Sequence, residues 1–194
     1  MIIRNDDVSP STDLDRLRDL YEVVKLALPE AKVISGVTLF GVMNSREAVY
    51  PHLPLKTKTH KYLYDTNRVL YKYAHVVGEI ASHGMFHVKH SELSKDAQEM
   101  SIVGSCRFLA TDSFIAPFND YNQDTIDVCV ENKIELLTKS HDWKSFEHND
   151  FDSSHKYWYM HSWKWTVKSL REYLNADISK RNSVNVGQLQ VNTY

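Results

Sequence analysis

Short apolar, β-rich runs alternate with amphipathic helical stretches along this chain, and that alternation restricts the fold more than any other feature. Ile2–Arg4, Ala31–Phe40, Val76–Ala81, Ser113–Ala116, Ile134–Thr138 and Tyr157–Met160 read as strands. Between them, helical spacing predicts Leu14–Leu28, with Leu14, Leu17, Leu20, Tyr21, Val24 and Leu28 on one face. Pro10, Ser11 and Thr12 mark its start and Pro29 its stop. Further helices are predicted over 61–74, Asp96–Leu109, Gln123–Asn132 and Thr166–Leu174. His83–Ser94 reads as a loop or short helix, while 44–60 and the polar stretch 139–155 read as irregular. The tail from Ile178 to Tyr194 shows weak periodicity and reads as loosely held. Alternating strands and helices imply βα units and a mainly parallel sheet. With 194 residues, the chain falls short of the ~250 typical of a full eight-fold barrel. The expected fold is therefore α/β, a distorted or incomplete (β/α) barrel, in one domain over 1–194.

Composition excludes several classes. Hydrophobic residues at 42% and charged residues at 25% are ordinary globular usage, not that of a disordered, collagenous or coiled-coil chain. Charge is balanced, 23 Lys and Arg against 25 Asp and Glu, with no basic stripe for nucleic acid. No apolar run reaches the ~18–20 residues of a membrane span. Met1–Asp7 lacks the basic and apolar regions of a signal peptide, so a cytoplasmic location is expected for the chain as it stands. Cys106 and Cys129 could form one disulfide, but two reduced thiols are expected.

In barrels of this kind the chemistry sits at the C-terminal ends of the strands. Polar clusters do fall there. Asp6 and Asp7 follow the first strand, His83 and His87 the third, Pro117, Phe118 and Asn119 the fourth, and His161 the sixth. Adjacent carboxylates repel, and a bound cation would take one as ligand and leave the other as a base. The plainer alternative is an exposed turn or a cap for the helix at Leu14. Histidines four apart share a helical face or one side of a tight turn. That suits a nitrogen-accepting divalent metal, chiefly zinc. Two His and one carboxylate leave positions open, as in catalytic sites. Two surface histidines are the alternative. His90 is expected to face solvent rather than serve as a spare ligand. Taken alone, His161 reads as packed among aromatics, with Trp158, Trp163 and Trp165 as core or groove wall.

The order and spacing of these elements resemble the polysaccharide deacetylase family, the NodB-homology domain of carbohydrate esterase family 4. Its Thr-Phe-Asp-Asp-like opening resembles Arg4-Asn5-Asp6-Asp7. Its His-Ser/Thr-x-x-His segment after an acidic strand end resembles Glu79 through Ser82, His83 and His87. Its Arg-Pro-Pro-Tyr-like third motif resembles Phe114-Ile115-Ala116-Pro117-Phe118-Asn119. Its Asp-Trp pair resembles Asp142-Trp143, and its Leu-x-His resembles Tyr159-Met160-His161. The resemblance spans 1–165. Two departures stand out: Gly84 replaces the family's Ser or Thr, and Ile115 replaces the arginine that positions the aspartate base.

The resemblance implies a metal-dependent hydrolase that removes N-acetyl groups from an amino-sugar or polysaccharide. Asp7, His83 and His87 would bind one divalent ion, zinc first, with Co2+, Ni2+ or Mn2+ as alternatives. Asp6 would be the general base that takes a proton from the attacking water, and His161 the general acid that protonates the departing amine. A backbone N–H near Phe118 would face the oxyanion. Pro117, Phe118, Asn119, Trp143 and Trp163 would contact substrate. In place of the missing arginine, Lys144 is one candidate cation, with a solvated lysine the expected reading. Two other readings stay open: a catalytically altered sugar-binding module of the same fold, and an amide hydrolase acting on a substrate that is not a polysaccharide.

Overall fold

The computed structural model describes residues 1–9, 12–39 and 78–176. The expectations for 44–60, 61–74 and the tail from 178 lie outside the described residues. Among the described residues, seven strands form one sheet in the order β5-β4-β3-β2-β1-β7-β6. They are β1 (Ile2–Val8), β2 (Lys32–Val37), β3 (Glu79–Ser82), β4 (Ser113–Phe114), β5 (Glu135–Leu136), β6 (Lys144–Ser145) and β7 (Tyr157–His161). Every neighbouring pair is parallel. The order has two ends, so the sheet curls into a half-barrel, the incomplete barrel expected from the sequence.

Helices pack on the convex face. α1 (Leu14–Ala27) starts where the Asp13 carboxylate accepts from the Arg16 N–H at 3.1 Å. It buries Leu17, Leu20, Tyr21 and Val24, spaced three and four apart. These meet Ile3, Val33, Trp158 and Met160 of the sheet, and Leu170 and Leu174 of a helix over 167–176. Each such buried Leu, Ile or Val contributes about 1.5–3 kcal/mol. α2 (Lys95–Leu109) is capped by Ser94, and α3 (Gln123–Glu131) by a reciprocal Asn122–Thr125 box. Between them lie Ile102, Cys106, Phe114, Val128 and Cys129. Both cysteines are free and buried, and burial pushes each thiol up to about 12. The concave face is lined by Ile34, Ala81, Ile115 and Leu137.

Three strand expectations need correction. β1 runs to Val8, through Asn-Asp-Asp, residues that normally avoid strands. It persists because these side chains find partners inside: Asn5 donates to the Tyr21 hydroxyl at 2.9 Å, and Tyr21 pairs with Ser35 at 2.8 Å. The predicted strand over 134–138 is only Glu135–Leu136, followed by a single helical turn, α4 (Leu137–Ser140). There the Thr138 hydroxyl, not its backbone, accepts the Ala116 N–H at 2.8 Å. Within the predicted loop 139–155 lies β6, two residues paired to β7 and too short to show a period.

Candidate metal and catalytic site

Successive strand residues point to opposite faces, so Asp6 and Asp7 should not share a rim. A bulge brings them together. Asn5 is paired with Ser35 and Val8 with Val37, so β1 carries one extra residue there. Asp7 sits in that irregularity with φ of 65°, a left-handed conformation costly for a residue other than glycine. Its carboxylate is thereby turned to the β3 side of the rim. Oδ1 lies 2.9 Å from His87 Nε2 and 3.2 Å from His83 Nε2. Oδ2 accepts from the Trp163 indole N–H at 3.0 Å.

His83 leaves the end of β3, where its N–H bonds the Val37 carbonyl at 2.8 Å. Gly84, with φ of 86°, then turns the chain so that His87 returns beside His83. The two rings are 5.1 Å apart, and His87 is backed by Phe118 at 4.3 Å. All three donor side chains are buried, and their ligand atoms lie within 4.8 Å of one another.

The donor set fits a divalent cation. His83 Nδ1 faces the Ile115 carbonyl at 2.9 Å, an acceptor only, so Nδ1 carries the proton. In the neutral ring, Nε2 is then a lone pair aimed at a carboxylate oxygen. Two acceptors so placed need a cation between them, either a proton or a metal ion. Burial pushes the Asp7 carboxyl upward. The His83 and His87 hydrogen bonds and charges outweigh it and hold the group below the usual carboxylate range.

Asp6 faces the concave side, directly beside His161 in the β1–β7 register. Its partner is Arg4, two residues back on the same strand face and fully buried. Arg4 Nε is 2.9 Å from Asp6 Oδ1, and Nη2 donates to Oδ2 at 2.9 Å. The cation facing Asp6 therefore comes from β1, and not from Lys144, the candidate raised by the sequence.

His161 ends β7, 3.9 Å from Asp7 Oδ2. Glu147 orients it: one carboxylate oxygen accepts the His161 backbone N–H at 2.8 Å and lies 3.3 Å from Nδ1. The other accepts from the Ser145 hydroxyl at 2.6 Å. Burial lowers the His161 pKa, but the Glu147 hydrogen bond and the Asp6 and Asp7 charges raise it overall. For Glu147, burial raises the pKa, and the bonds from His161 and Ser145 outweigh this and bring it down to about 2.

Of the remaining candidates, buried Pro117 opens a tight turn in which Phe118 and Asn119 take φ of 60° and 54°. Phe118 and Trp163 stand about half exposed on either side of the Asp7–His87 pair. Trp143 does not join them: it packs against Arg4 and donates to the Leu137 carbonyl at 2.7 Å. Sequence reasoning missed Arg4 and Glu147. An Arg-x-Asp pair on one strand face was a readable signal for the first. Glu147 stands in a polar stretch without periodicity and gave none.

His90 is also corrected. It is fully buried, bonded to the Val88 carbonyl and the Ser101 hydroxyl, and not solvent-facing. Burial brings its pKa down to about 4, against 6.5 when exposed. Between those values the unfolded chain binds the extra proton, so stability rises with pH across this window, by about 3 kcal/mol in all. Urea unfolding at pH 4.5 and pH 7 should show this dependence, and His90→Gln should flatten it.

Solved structures share this fold. A family 4 carbohydrate esterase from Streptomyces lividans in complex with acetate has a TM-score of 0.58, at 11% identity over 92% of this chain and 87% of that one. A peptidoglycan N-acetylglucosamine deacetylase gives 0.60, at 10% identity over 92% and 82%. A family 4 pseudoenzyme from Bacillus anthracis gives 0.62, at 11% identity over 93% and 61%. No protein-family model and no curated protein matches the sequence. The chain therefore has the family 4 carbohydrate esterase fold. None of the described helices is long and apolar enough to cross a membrane.

Proposed function

We propose that this chain is a metal-dependent hydrolase that removes N-acetyl groups from an amino-sugar or polysaccharide, with one divalent ion, zinc first, held by Asp7, His83 and His87. The observation that carries this reading is a paired arrangement beside the three donors. Asp6 is anchored by Arg4, His161 is anchored by Glu147, and the two are neighbours across β1 and β7. When bound, such an ion polarises an acyl carbonyl and brings the pKa of water towards ~7.

Asp6 accepts the proton of the attacking water at its carboxylate. His161, whose protonated form the Glu147 carboxylate favours, gives a proton to the departing amine nitrogen. In the Pro117–Asn119 turn, proline has no N–H and the Asn119 N–H bonds the Ala116 carbonyl, so the Phe118 N–H would be the donor to the carbonyl oxygen, a contribution worth about 10²–10³ in rate. Phe118 and Trp163 offer apolar faces to a sugar ring or acyl methyl. The products are the free amine and acetate.

A second reading, a sugar-binding module without turnover, draws on apolar Ile115 in the third motif and on the fold's occurrence in a pseudoenzyme. One experiment separates the readings. Protein stripped of metal and reloaded with Zn2+, Co2+, Ni2+ or Mn2+ is given N-acetylated chitooligosaccharides, and separately an N-acetylated peptide. Metal-dependent acetate release from the oligosaccharides is the expected result. Sugar binding without acetate would establish the second reading, and release from the peptide alone would reassign the substrate.

A further inference from the structure

Arg4 is fully buried, and its contacts exceed what a strand residue needs. Nη2 donates to Asp6 Oδ2 at 2.9 Å, and Nε stands 2.9 Å from Oδ1 as an ion pair without hydrogen-bond geometry. Nη2 also donates to Asn119 Oδ1 at 2.7 Å. The plane of the guanidinium is set by aromatic rings, with Cζ 4.7 Å from the centre of Trp143 and 5.1 Å from that of Tyr159. One planar cation therefore fixes two distinct parts of the rim. These are the Asp6 carboxylate on β1 and, through Asn119, the strained turn after β4.

Ile115 stands near the same carboxylate. A point beside Gly36, where a Cβ would stand, lies 3.1 Å from Ile115 Cδ1 and 3.4 Å from Asp6 Oδ1. Positions 4 and 115 thus lie near one carboxylate, and this chain carries the arginine at 4 and a hydrocarbon at 115. A planar guanidinium held against two rings and bonded to both Asp6 and Asn119 fixes direction as well as charge, which a lysine cannot do.

We infer that Arg4 is the positioning residue of this site, taking over from β1 the task for which the resembled family uses an arginine at position 115, and tying Asp6 to the Pro117–Asn119 turn. This rests on reading Asp6 as the base. The test relocates the charge. Zinc-loaded wild type, Arg4→Met, Arg4→Lys and the double variant Arg4→Met/Ile115→Arg are compared on N-acetylated chitooligosaccharides. Arg4→Met should lower kcat by about 10–100-fold, the usual effect of losing an outer partner, with KM and zinc content unchanged. The double variant should recover most of that loss, and Arg4→Lys should fall between wild type and Arg4→Met. If the double variant does not fold, Arg4→Lys decides. Wild-type kcat in Arg4→Met, or no recovery in any folded rescue variant, overturns the inference.

Wild-type protein that releases no acetate would instead sink the hydrolase reading. The pairing is then read from thermal unfolding of Arg4→Met, Asp6→Asn and the two combined. The second substitution should cost little once the first is made. Additive shifts in Tm would overturn the assignment of Arg4.

Discussion

Zinc should be lost from His83→Ala and His87→Ala protein, and acetate release with it, while Asp6→Asn should keep its zinc and lose about 10²–10⁴ in kcat. A ligand and a base fail in different ways. The three donor atoms crowd within 4.8 Å, and removing one imidazole leaves only two of them. Asp7→Asn keeps the shape but removes the charge that makes a cation necessary, so it should bind zinc more weakly. Asp6 is not one of the three donors, and its carboxylate is held by Arg4, so its amide should not empty the site. Elemental analysis beside the acetate assay reads both effects. Metal-free Asp6→Asn protein, or Asp6→Asn protein of full activity, would reverse the assignment of the two aspartates.

His161→Ala should lower kcat by about 10²–10⁴ and abolish the alkaline limb of the pH–rate profile. The acid works only while protonated, so its pKa sets where that limb falls. Glu147 is the largest influence that raises the His161 pKa. Glu147→Gln should therefore move the alkaline limb to lower pH and reduce kcat less than His161→Ala does. Near-normal rate in His161→Ala, with the limb in place, would leave His161 as a packed ring among its aromatic neighbours.

The sheet was legible because short β-rich runs, such as Val33-Ile34 in β2 and Trp158-Tyr159-Met160 in β7, alternate with stretches of helical period. Strands β4, β5 and β6, of which β5 and β6 are the edges, are two residues long, too short to show an alternation. Strand β1 was read as far as Arg4 because Asn-Asp-Asp opposes strand propensity, and only tertiary partners reveal the reason it continues. Asp7, His83 and His87 could be found because metal-accepting residue types at strand ends are a chemical pattern. Arg4 could not be assigned in the same way. A buried arginine is intelligible only once its carboxylate, amide and aromatic partners are known, and these come from positions 6, 119, 143 and 159. The Asp142-Trp143 pair resembled a motif, yet the carboxylate that reaches His161 is Glu147, because the short β6 carries it to the side of β7.

The extra residue in β1 makes chemistry and architecture separately mutable. Deleting one residue between Asn5 and Val8 would restore an unbroken register with β2 and leave the hydrophobic layers as they are. The two residues there are Asp6 and Asp7, so one aspartate would remain, and strand alternation alone would decide which face it takes. A chain so shortened would keep its shape and its aromatic groove while the carboxylate opposite the histidines was gone. In this architecture, one deleted codon is expected to dissolve the cluster of metal-accepting residues while the fold stays.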